Sequence, residues 1–126
     1  MKSFVIPIAV LGLLLGLSLW NGWWLMEQCG AWDEELAAID ALAVQDAWES
    51  SERQLEDLYG DWQRYGLWLH VTMEHDALNQ AEGLFCRALV LAQEEDSVEF
   101  RAHIAELRSA LQLLSEMEQV RVENVL

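Results

Sequence analysis

Four residues in one short stretch carry metal-ligand chemistry: His70, Glu74, His75 and Asp76. His70 and Glu74 are four apart and would share a helix face, as zinc-binding pairs do. The order is not His-Glu-x-x-His, and the apolar pattern breaks near Thr72, so the same residues also read as a solvated helix junction. No metal or other cofactor is assigned, and His70, Glu74 and His75 stand as candidates only. His103 flanks an apolar stripe and reads as a surface residue.

Two cysteines are the next reactive groups. Cys29 lies in phase with Leu36, and Cys86 lies about 100° away from the Phe85 stripe. Within one chain they are poorly placed to meet, so the reading is one packed and one partly exposed thiol. An intermolecular bridge through Cys86 is the alternative. Carboxylates abound, but acid/base pairs need a cleft that separates their pKa values, and Glu94-Glu95-Asp96 reads as an exposed loop. No nucleophile-base arrangement, Gly-rich phosphate loop or calcium loop is present. The chain does not read as an enzyme.

The elements that carry these residues begin with an apolar anchor. Residues 4–25 form one uncharged run, long enough at 1.5 Å per residue to cross a bilayer core. All 22 acidic side chains lie behind it against six arginines, a net −16 for that part. Such a domain is unsuited to nucleic acid or an anionic membrane surface. Lys2 and the amino terminus precede the run and acids come after it, so the expected orientation is amino terminus cytoplasmic, remainder extracytoplasmic. A cleaved signal peptide has a shorter core ending at small residues. Here the run ends in Trp20, Trp23 and Trp24, which suit a membrane-interface belt, and Met26-Glu27-Gln28 before Cys29 is a poor lipoprotein box. Pro7 sits in the first turns, where a missing N–H costs little. Gly12 and Gly16 make a small-xxx-small step that could pack on another membrane helix, or glycine is simply tolerated there.

The expected domains are therefore a transmembrane signal-anchor, residues 1–27, and an acidic helical bundle, residues 28–126. The fold class is all-α, a membrane helix followed by a small antiparallel bundle of three to four helices. One stretch runs from about Trp32 to Val44, with Trp32, Leu36, Ile39 and Ala43 on a stripe that could continue the anchor helix. Asp46 and Glu49 resemble a capping box opening a second helix, along which Trp48, Leu55, Leu58, Trp62, Tyr65 and Leu69 form a seam. Gly60 and Gly66 each weaken that helix by about 1 kcal/mol. Six large side chains at about 1.5–3 kcal/mol each outweigh them. A third helix carries Leu78, Ala81, Phe85, Leu89 and Ala92, with Leu84, Ala88 and Leu91 widening its arc to roughly 160°. That width predicts two neighbours and a central place. Asp96 and Glu99 form a second capping box, and a fourth helix reads Phe100, Ile104, Leu107, Leu111, Leu114 before running down near Val120.

Leu67, Trp68 and Val71 fall off the seam of the second helix. Such a patch marks a partner or membrane contact, or else a helix covered on two sides. Taken together, Trp48, Trp62, His75-Asp76 and the terminal Glu123-Asn124-Val125-Leu126 resemble the domain of unknown function 4363 family. That resemblance implies a short bacterial protein with an N-terminal anchor and an all-helical remainder. It brings no activity, cofactor or catalytic residue, and this chain is richer in tryptophan and acid, and poorer in lysine, than the family. Two functions fit: an accessory or interaction protein of the bacterial cell membrane with an unidentified protein partner, or an extracytoplasmic metal or ligand sensor.

Overall fold

The structure, a computed structural model, describes residues 2–125. The amino terminus, which with Lys2 supplies the positive charge ahead of the apolar run, and Leu126 of the terminal motif lie outside the described residues. These residues form five helices and no strand: α1 (Lys2–Val44), α2 (Trp48–Arg64), α3 (Gly66–Thr72), α4 (His75–Gln93) and α5 (Ser97–Val125).

α1 runs unbroken from the apolar segment through Gly30 and across the 27/28 boundary. At 43 residues it is about 64 Å long, and its two halves differ in kind. Phe4 to Leu17 are exposed, and the helix is long and apolar enough to cross a membrane, with none of its apolar window buried. From Gly22 onward a buried stripe appears at steps of three and four: Gly22, Leu25, Cys29, Trp32, Leu36, Ile39 and Ala43.

That second half is one wall of a four-helix bundle. α1 packs on α2, α2 on α4, α4 on α5, and α5 back on α1. Three-residue connections join α1 to α2 and α4 to α5 and make each pair antiparallel, while α2 returns to α4 through α3. Each long helix thus has two long-helix neighbours, and α4 occupies a corner of the ring and not its centre. Its wide apolar arc is needed all the same, because α2 and α5 cover it from two sides: Leu78, Ala81, Leu84, Phe85, Ala88 and Ala92 are buried.

The two turns at the far end share one device. The Ala47 N–H bonds the Leu42 carbonyl and the Asp46 N–H bonds that of Ala43, while Asp46 is left-handed with φ 60°. This is the Schellman closure of a helix C-terminus. Asp46 therefore ends α1 and does not open α2, whose N-cap is Ala47 with no side-chain bond. Glu95, at φ 55°, closes α4 the same way, with Asp96 N–H on Leu91 and Glu95 N–H on Ala92. Here the expected cap does form: the Asp96 carboxylate accepts the Glu99 N–H at 3.2 Å.

The second helix is not continuous. Tyr65, at φ −90° and ψ 0°, ends α2 and begins α3. The seam survives the break, since Trp48, Leu55, Leu58, Trp62 and Leu69 are all buried. A chain of rings fills the core from one end: Trp24 on Tyr65 (5.3 Å between centroids), Tyr65 on Trp32 (6.2 Å), Trp32 on Trp62 (5.5 Å), Trp62 on Phe85 (5.4 Å). Polar rungs fix the register. The Ser51 hydroxyl donates to the Ile39 carbonyl (3.1 Å), and Glu82 accepts from Tyr59 (2.8 Å) and from the Trp62 indole (3.4 Å). Arg101 pairs with Asp40 (3.1 Å) and Arg108 with Asp33 (2.8 Å), one rung two turns from the next on both α5 and α1. α5 continues past Val120 to Val125, which brings its last turns beside Gly22.

Candidate functional site

The features that the core does not explain collect at the end of the bundle where the bare half of α1 emerges. Three elements meet there: α1 around Asn21, the Tyr65 break with α3, and the last turns of α5. The Trp68 indole donates to Asn21 Oδ1 at 2.9 Å. Trp24 is half-buried, edge-on to Tyr65, whereas Trp20 and Trp23 are exposed. Trp20, Asn21, Trp24, Tyr65 and Trp68 line an almost wholly apolar hollow of about 240 Å³.

On the α5 side the approach is close enough to need a glycine. A Cβ placed on Gly22 would lie 2.6 Å from a Val122 methyl and 3.1 Å from Glu118 Oε1. Glu118 is buried, 4 % exposed, and pairs with Arg121 at 3.6 Å. Burial and then the Glu118 charge push the Cys29 thiol up to about 12, so Cys29 is a protonated packing group. Cys86, also a free thiol, is exposed, with the Tyr59 hydroxyl 3.5 Å away. That thiol, then burial and Glu82, hold the Tyr59 hydroxyl protonated well above its ordinary range.

The other candidates separate. Leu67, Trp68 and Val71 are 83 %, 49 % and 74 % exposed, so the reading of a helix covered on two sides does not apply. Gly12 and Gly16 have nothing within 4 Å of an added Cβ. His70 and His75 meet edge-on, 5.1 Å between ring centres, but His75 Nε2 lies 2.7 Å from the His70 carbonyl oxygen. A carbonyl only accepts, so that nitrogen carries its proton and has no lone pair to offer. Among the described residues no group of three or more His, Cys, Asp or Glu side chains could hold a metal ion. His103 is half-buried, its Nδ1 2.9 Å from the Glu99 carbonyl. In the Glu94-Glu95-Asp96 loop, Glu94 and Glu95 are exposed and Asp96 is half-buried. Glu35, pushed up by burial and then by Asp61, is itself exposed.

Sequence reasoning missed Asn21, Gly22, Tyr65 as a break, and Glu118. One of these was findable. Glu118 continues the 4-3-4 series of Leu107, Leu111 and Leu114, so its phase places it in the core. Gly22 left no such trace, because it lies inside a run that is uncharged throughout and apolar at nearly every position.

A family model described as Domain of unknown function (DUF4363) matches residues 21–125. The chain belongs to that family. No curated protein and no solved structure matches. The DUF4363 match opens at Asn21, the residue that accepts the Trp68 bond, and takes in the whole bundle. The bare half of α1 precedes it. Within this DUF4363 chain, then, the matched segment coincides with the part that packs against itself.

Proposed function

We propose that this chain is a single-pass protein of a bacterial cell membrane. The apolar run of residues 4–25 supplies the span, its bare part up to Trp20 crossing the bilayer with the amino terminus cytoplasmic, and α1 continues outward to hold an acidic four-helix bundle against the outer face. There it serves as an accessory or interaction module and not as an enzyme. One observation carries this reading: the apolar half of α1 stands clear of the fold, with its window wholly unburied, whereas an apolar core helix would be covered. Continuity adds support. A rigid helix that is both anchor and bundle wall sets the height of the bundle, which a flexible linker could not. The open face at Gly12 and Gly16 suits close approach of a second membrane helix.

The test is retention and topology in intact cells. The expected result is an alkaline-resistant membrane protein at full-length mass, labelled from outside by an impermeant maleimide at Ser97→Cys in a Cys86→Ser background. Ser97 is exposed and opens α5; neighbouring Glu95 is unsuitable because of its left-handed backbone. A shortened, released product would sink the anchor. A full-length membrane protein labelled only after cell lysis would sink the orientation.

A further inference from the structure

We propose that α3 is an interfacial element, with Leu67, Trp68 and Val71 seated in the boundary between lipid headgroups and acyl chains. The proposal rests on the reading of residues 4–25 as a membrane span and adds a second point of contact to it. Leu67 and Val71, four apart, share one helix face, and both are largely exposed to solvent in the folded chain.

Depth is what selects lipid as the occupant. Trp68 is held to Asn21 at 2.9 Å, so α3 sits at the level of Asn21 on α1. Asn21 comes 17 residues after Phe4, a rise of about 26 Å, against a hydrocarbon core of about 30 Å. If the span begins at Phe4, the level of α3 falls at the edge of that core, in the zone where tryptophan rings concentrate. Trp20 and Trp23 are exposed at the same level.

Charge agrees with depth. The chain carries 22 acids, yet the stretch from Tyr65 to Met73 contains none. Residues 62–73 are the longest acid-free stretch behind the anchor, one residue longer than 83–93, and they lie where the bundle would meet the membrane. A short helix with exposed apolar side chains, no acid and an indole tied to the anchor binds a lipid surface as an in-plane amphipathic segment does. Two contacts, span and α3, would fix rotation of the bundle about α1 as well as its height.

The experiment uses the full chain, reconstituted alone into vesicles of zwitterionic phosphatidylcholine, in a Cys86→Ser background. Cysteines introduced one at a time at Leu67, Val71, Gln54, Ser97 and Leu13, with the buried Cys29 left in place, carry an environment-sensitive fluorophore, read against lipids bearing nitroxide at shallow or deep acyl positions. Expected is blue-shifted emission at 67 and 71, with quenching by the shallow nitroxide several-fold above that at 54 and 97, and deep quenching at 13. No quenching at 13 would overturn the span and this inference together. Quenching at 13 with labels at 67 and 71 in water would overturn the inference alone. Shielding at 67 and 71 without lipid quenching would overturn it in favour of a second copy of the chain on that face.

Discussion

Replacing Gly22 by alanine should destabilise the protein, although the same change elsewhere in a helix stabilises it. In an exposed helix interior Gly→Ala is worth about 1 kcal/mol of added stability. Gly60 on α2 is such a site, with nothing within 4 Å of an added Cβ. At Gly22 the new methyl would lie 2.6 Å from Val122 Cγ2, roughly 1 Å inside an ordinary carbon–carbon contact. Val122 is β-branched and stiff at χ1, so its methyl cannot swing aside and the last turns of α5 must lift from α1. Overpacking of this kind costs about 1–3 kcal/mol; set against the propensity gain, the net loss is about 1 kcal/mol. Val122→Ala removes the obstructing methyl. In that background Gly22→Ala should gain up to about 1 kcal/mol, a coupling of roughly 1–2 kcal/mol between the two positions. The assay is chemical denaturation of the full chain in detergent, followed by near-ultraviolet circular dichroism, for the four members of the cycle with Gly60→Ala alongside. Equal stabilisation by Gly22→Ala and Gly60→Ala in the parent chain would refute the seating of α5 on Gly22.

Other predictions use the same assay or simple thiol chemistry. Phe85→Ala should cost about 3–5 kcal/mol, since the ring is fully buried between Tyr59 and Trp62; a loss below about 1 kcal/mol would mean the bundle core is not as described. Glu95→Gly should stabilise by about 0.5–1 kcal/mol, because glycine takes the φ of 55° without a Cβ penalty, and any destabilisation would count against the Schellman turn. Cys86 should react with a thiol reagent in the folded chain and Cys29 should not. Since the folded-state pKa of Cys29 is raised from 9.0 to about 12, its stabilising contribution is complete below pH 9 and is lost as pH rises from 9 toward 12. Cys29→Ala should flatten that alkaline loss, and identical pH profiles would contradict the burial of the thiol.

Much of the fold was legible because hydrophobic period reports directly on which face of a helix is covered. The seam from Trp48 to Leu69, the α5 series from Phe100 to Leu114 and the α4 arc name residues that are buried, except Tyr65, Leu89 and Leu91, which are half-buried against the core. The Asp96 cap was legible too, as a local hydrogen bond between near neighbours. Asp46 misled for an equally local reason: an acid before a helix suits an N-cap, but here the chain reverses so tightly that the same residue is spent closing α1. The break at Tyr65 left no mark on the seam, since one residue in a bridging conformation shifts the backbone without moving the apolar positions out of phase.

The sequence by itself determined an apolar run fit for a membrane, the acidity of the residues behind that run, and helices with assigned buried faces. Only the tertiary structure decided where the run stops being bare and becomes a bundle wall. The reason is physical: from Phe4 to Leu25 every position is uncharged and nearly every one apolar, so periodicity carries no phase, and Gly22 and Leu25 cannot be told from Leu17. Contacts supply the phase, through Trp68 on Asn21 and Val122 on Gly22. They also bring α3, forty-seven residues away in sequence at Trp68, to the foot of the anchor.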